Sequence, residues 1–144
     1  MPYTTILVAV DSSEESKQAF ARSITSAKKN DGASLTIAHV VDIPTHSDYR
    51  QYDAAIMELA KKSATEMLDG FKDEAIAAGL TDVQVVLEFG SAKREIIKTI
   101  VPKVNPDLII VGATGTNALE RVLVGSVSDY IIRHAPCDVL VVRN

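Results

Sequence analysis

Five short runs of Val, Ile and Leu, each apolar nearly throughout, recur along the chain at Thr5 to Val10, Ser34 to Val41, Val83 to Glu88, Leu108 to Val111 and Val139 to Val142. A strand with one face in water alternates apolar and polar residues; continuous apolarity is what a strand needs when helices cover both faces of a parallel sheet. The third run is interrupted by Gln84 and is the least apolar, which suits an edge.

Between the runs the apolar period lengthens to about three and a half residues, the mark of amphipathic helices. Phe20, Ile24 and Ala27 form one stripe. Ile56, Leu59, Ala60, Ala64, Met67, Leu68, Phe71 and Ala75 form a longer one, and Ile96, Ile97, Ile100, Val101 and Val104 a third, each expected to pack on the sheet. The last connection is compound, with a short helical turn at Leu119, Val122 and Leu123 before a helix carrying Val127, Tyr130 and Ile131. Ser12 with Glu15 fits a capping box, and Gly79, Pro106 and Pro136 fall where helices should end or strands begin. Residues 43 to 53 read as a loop leading into the second helix, either a plain connector or a cover for a ligand.

Five strands alternating with helices require right-handed crossovers, giving one α/β domain over residues 1–144: a three-layer, open, parallel five-stranded sheet of doubly wound, Rossmann-like type with strand order 3-2-1-4-5. Ligands of such sheets bind where the strand order reverses, between strands 1 and 4. Functional residues are therefore expected just after Val10 and just after Val111.

Composition narrows the partners. A net charge of −4, with the basic residues scattered, disfavours a nucleic-acid binder, which concentrates Lys and Arg against phosphates. No apolar run approaches the length of a membrane span and no signal-peptide pattern opens the chain, so the expected location is the cytoplasm. A single cysteine, Cys137, excludes an internal disulfide. His39, His46, His134 and Cys137 show no zinc-motif spacing, and His39, within a strand, reads as a hydrogen-bonded core residue.

The chemistry-bearing pattern is Gly112-Ala113-Thr114-Gly115 after strand 4, followed nine residues on by Gly125-Ser126 at a helix start. Glycines admit an anion to the main chain, and a helix start offers free N–H groups and the positive end of its dipole, so together they describe a phosphate cradle. Tight turns at Gly112 and Gly115, and a Ser126–Asp129 capping pair, are the structural alternatives; placement at the switch point favours nucleotide binding. Asp11 serves either as a helix-start carboxylate or as an acceptor for a ribose or a cation. No P-loop and no dinucleotide fingerprint is present.

The pattern Gly112-x-x-Gly115-x9-Gly125-Ser126 resembles the ATP-binding signature of universal stress proteins. The opening Ile6-Leu7-Val8-Ala9-Val10-Asp11-x-Ser13, the His39-Val40 pair ending strand 2, and Pro136-Cys137-Asp138-Val139-Leu140-Val141-Val142 are similar to that family too, so the likeness runs nearly end to end. The resemblance implies that Asp11 lies near the adenosine and phosphate path, that Val40 offers main-chain contacts to adenine, and that Gly112, Gly115, Gly125, Ser126 and Val127 follow the sugar and phosphates. With their neighbours at the strand exits, the candidate binding residues are Val10, Asp11, Ser12, Val40, Gly112, Ala113, Gly115, Gly125, Ser126 and Val127.

The resemblance also implies ATP as ligand, with Mg or another divalent ion on its phosphates, and a homodimer through the last strand. Cys137 to Val142 supports the latter physically, as an edge free of internal Pro and Lys invites a partner strand. The function expected is that of a nucleotide-responsive regulator in stress response; a slow ATPase or other adenine-nucleotide hydrolase is the alternative. A phosphoacceptor receiver domain would need an acid cluster after strand 1 and an aspartate closing strand 3, where this chain has Asp11 alone and Glu88-Phe89-Gly90.

Overall fold

The computed structural model describes residues 2–43, 54–113 and 125–143. The sheet is formed by β1 (Thr5–Ala9), β2 (Ser34–Asp42), β3 (Val83–Gly90), β4 (Leu108–Gly112) and β5 (Asp138–Val142), all neighbours parallel, in the order β3-β2-β1-β4-β5. This is the expected topology, with β3 at an edge. Its partner β2 runs on to Asp42, so His39 and Val40 lie inside the strand and do not end it.

Alternation through β1 divides the core in two. Ile6, Val8 and Val10 face the layer of α1 (Glu14–Lys29) and α2 (Ala54–Ala77), joined by Leu35, Ile37, Phe20, Leu68 and Phe71. Leu7 faces the opposite layer with Ala38, Val40, Ile100, Ile109 and Ile131. That layer is built by α3 (Ala92–Glu95), a π-helical turn (Ile96–Ile100), α4 (Val101–Val104) and α5 (Ser126–His134).

The π-helical turn has a local cause. Pro102 has no N–H to return to the carbonyl one turn back, and the Val101 N–H bonds instead to the Ile96 carbonyl, five residues away. Asn105, at a left-handed φ of 52°, then closes α4 ahead of Pro106. At the end of α2, Gly79 adopts φ 106°; its N–H bonds Ile76 O and that of Leu80 bonds Ala75 O, a Schellman closure that also tucks Leu80 against the core.

Two local expectations are corrected. The α2 stripe is buried only at Ala64, Leu68, Phe71 and Ala75; Ile56 and Leu59 are 54% and 67% exposed. A helix of this length spans about 36 Å, and its first turns outrun the packed stretch. The cap of α1 is Ser13, not Ser12: the Ser16 N–H donates to Ser13 Oγ at 3.1 Å, while Ser12 is exposed. The Asp11 carboxylate shifts the start by one residue, accepting the Ser13 N–H at 2.7 Å, and Ser16 stands where a capping box needs Glu or Gln.

At the amino-terminal end of the sheet, Asp107 gathers the start of β1. Its carboxylate accepts the Thr4 N–H (2.9 Å), the Thr4 hydroxyl (3.1 Å) and the Thr5 N–H (3.0 Å). Burial pushes the pKa of this carboxyl up, but the hydrogen bonds outweigh it and hold the group below its ordinary value.

Candidate functional site at the exits of β1 and β4

The chain leaves β1 at Val10, which is buried, and two bonds tie it to β2: its N–H donates to Ala38 O at 2.9 Å, and its carbonyl accepts the His39 Nδ1–H at 2.8 Å. His39 is thus hydrogen-bonded as expected, but it is half-buried and stands outside the two core clusters. The Ser34 N–H and the Ala38 carbonyl both bond toward β1, so alternation turns the N–H and C=O of Val40 to that side as well. By that point β1 has ended. The Val40 side chain is buried in the second core cluster, so what it presents beyond the β1 exit is main chain.

Asp11 is half-buried and rigidly held. The Ser16 hydroxyl donates to its carbonyl at 2.7 Å and accepts its N–H at 3.0 Å, while one carboxylate oxygen takes the Ser13 N–H. The helix-start role read from the sequence is therefore present, and the second carboxylate oxygen is left for other partners.

Gly112 ends β4, and a side chain there would strike α1: an added Cβ would lie 2.9 Å from Glu15 Cβ and 3.0 Å from its backbone. The close approach of α1 thus already demands glycine, and it sets the start of α1 against the end of β4. Ala113 follows, buried, with its N–H bonded to Val142 O at 2.8 Å. Its carbonyl accepts both the Gly125 N–H (2.7 Å) and the Ser128 hydroxyl (2.8 Å).

That double acceptance pins the start of α5 to the exit of β4. Gly125 is the cap residue and offers no side chain, so the first amides of α5, at Ser126 and Val127, are left without an intrahelical partner. Ser126 is exposed there, and Val127 packs partly into the second core. Ser126 and Asp129 form no capping pair, since Asp129 binds Arg133 Nε at 3.0 Å. Gly115, the turn at Leu119 to Leu123 and the loop before α2 lie outside the described residues.

The structure therefore places Val10 and Asp11 at the exit of β1 and Gly112 and Ala113 at the exit of the neighbouring β4, with Gly125, Ser126 and Val127 at the helix start tied to Ala113, the Val40 main chain turned toward the β1 side and Ser12 exposed. Sequence reasoning missed Ser16 and Ser128, whose hydroxyls hold both walls. Their signal, a serine three residues after each helix cap, is too common to stand out. Among the described residues no group of three His, Cys, Asp or Glu side chains is placed to hold a metal ion, and no helix is long and apolar enough to cross a membrane. Free amides and a helix start fit an anion.

A separate groove of about 510 Å³ lies between α1 and α2, lined by Phe20, Ile24, Met67, Gly70 and Phe71. Tyr3, Asp107 and Cys137 also lie elsewhere, at the amino-terminal ends of the strands. The hydrogen bond to Asp138 raises the Tyr3 pKa, and burial raises that of Cys137.

An open parallel sheet with a main-chain-lined crevice at its switch point defines the Rossmann-like α/β class that binds ligands beyond the strand exits. Within that class the chain belongs to the universal stress protein family, which it matches over residues 2–143. A putative universal stress protein of Staphylococcus aureus is 52% identical over 141 residues, covering 98% of this chain and 84% of the relative. The solved universal stress protein UspA of Lactobacillus plantarum superposes with a TM-score of 0.85 at 33% identity, covering 99% of both chains. A universal stress protein solved in complex with cAMP superposes with a TM-score of 0.74 at 26% identity, covering 99% of this chain and 98% of the other.

Proposed function

We propose that this chain binds an adenine nucleotide, with ATP as the working ligand, at the crevice between β1 and β4, and acts as a nucleotide-responsive regulator. The observation that carries the reading is the Ala113 carbonyl, which draws in Gly125 N–H and Ser128 Oγ and so fixes an uncapped helix start at the exit of β4, the strand next to the one that leads into Asp11. A phosphate meets free N–H groups and the positive end of a dipole there. The Val40 main chain offers a donor and an acceptor to an adenine edge, and the free oxygen of Asp11 suits a ribose hydroxyl. The cAMP complex of a relative supports an adenine ligand for this fold.

A regulatory role fits the chemistry better than catalysis. Among the described residues, the groups with displaced acidity, Tyr3, Asp107 and Cys137, sit at the far end of the strands, so none of these is placed to move a proton at a bound phosphate. Regulation requires that the nucleotide prefer one conformation energetically, and a dimer gives that preference a reader. β5 bonds β4 on one side only, and the Val142 carbonyl points to β4, so Val139 and Val141 direct their main-chain groups outward. An antiparallel homodimer through this edge, in the cytoplasm, completes the proposal.

The test is chromatography of small molecules released by acid from freshly purified protein, with calorimetric titration of ATP, AMP and cAMP into the stripped chain. Release of an adenine nucleotide, or saturable heat with ATP, is expected. Neither release nor heat at millimolar ATP would overturn the reading.

A further inference from the structure

Both helices that start at the switch point carry a buried serine at the same place, the third helical residue: Ser16 in α1 and Ser128 in α5. They are 5% and 2% exposed. Neither hydroxyl serves its own helix start in the usual way, by capping a free amide. Each reaches back to the main chain of the strand exit that precedes it.

Ser16 Oγ makes two bonds to Asp11, donating to the carbonyl at 2.7 Å and accepting the N–H at 3.0 Å, so the residue is held at both ends. Ser128 Oγ donates to Ala113 O at 2.8 Å, fifteen residues upstream, and lies 3.1 Å from Gly125 O. Ala113 in turn is bonded to β5 through its N–H. One hydroxyl therefore locks the Asp11 wall of the crevice, and the other sets how far the α5 amides stand from β4.

We propose that Ser16 and Ser128 are paired positioning residues of the crevice: Ser16 orients the Asp11 carboxylate toward the sugar, and Ser128 holds the α5 amides at phosphate distance. Neither touches the ligand through its hydroxyl. The inference rests on the nucleotide-binding reading above. It assigns each serine to a different part of the ligand, which a purely structural role would not do.

The experiment titrates adenosine, AMP and ATP into wild-type protein and into Ser16→Ala, Ser128→Ala, Ser128→Cys and Ser128→Thr, with urea unfolding of each variant to establish that it is folded. Ser128→Ala should weaken AMP and ATP by about tenfold, the scale of one hydrogen bond, and leave adenosine within about twofold. Ser16→Ala should weaken all three ligands by a similar factor. Ser128→Cys keeps the shape with a poor donor and should follow Ala; Ser128→Thr keeps the hydroxyl and should recover most of the affinity. If Ser128→Ala does not fold, the Cys variant carries the comparison. Loss of adenosine and ATP in the same proportion at position 128, or no loss at either position, overturns the positioning role while leaving nucleotide binding intact. Wild-type protein that binds none of the three ligands overturns both.

Discussion

Placing a negative charge at the first helical residue of α5 separates folding from ligand binding, because the two respond to it with opposite sign. Ser126 is exposed and opens α5 behind a cap residue that offers no side chain. In Ser126→Glu the carboxylate meets the positive end of the helix dipole and should raise stability by about 0.3–1 kcal/mol. A phosphate bound at the same amides would stand within about 5 Å of that carboxylate, and at effective dielectric constants of about 20–80 each unit charge on it costs about 1–3 kcal/mol. ATP and AMP should therefore bind about 5- to 150-fold more weakly, the loss shrinking as salt is added, whereas adenosine should be nearly unchanged. Isothermal titration with the three ligands at two ionic strengths, beside a melting curve without ligand, reads both effects. Unchanged ATP affinity in a folded Ser126→Glu protein would refute the α5 start as the phosphate site.

Three further outcomes are expected. Gly112→Ala pushes a methyl against the backbone of Glu15 and should cost about 1–3 kcal/mol in urea unfolding; unaltered stability would mean that α1 does not press on β4. Asp107→Ala should destabilise by about 1–3 kcal/mol. The native Asp107 carboxyl titrates below its unfolded value, so its stabilisation is complete above pH of about 4 and fades as pH falls through the folded value. The gap between wild type and variant should thus close in acid, and a gap that persists at low pH would exclude the carboxylate as its source. Val141→Pro removes an outward N–H of the edge strand and leaves the β4 side bonded; light scattering should show a dimer become a monomer, and a dimer that survives would rule out pairing through β5.

The candidate site was legible in its placement where that depends on punctuation. Gly125-Ser126 stands at a helix start and Asp11 at a strand exit, both expected from short-range pattern and both found at the switch point. Where two neighbouring residues suit the same local role, the pattern is blind. Ser12 and Ser13 are equally good caps in sequence, and only the Asp11 carboxylate, turned back onto the Ser13 amide, decides between them. Ile56 and Leu59 continue the apolar stripe of α2 in perfect phase, yet nothing in that periodicity says where the sheet beneath it stops.

Sequence by itself determined the elements, their order and the three-layer arrangement, because continuous apolar runs and a helical period are local consequences of which faces must leave water. It also marked the strand exits as the candidate place for a ligand. Tertiary structure alone decided why Gly112 must lack a side chain, since the demand comes from Glu15, nearly a hundred residues earlier. The same holds for Ser128 on Ala113 and for His39 on Val10. A hydroxyl or imidazole carries no record in the sequence of which distant carbonyl it will meet; that partner exists only once the strands have been brought side by side.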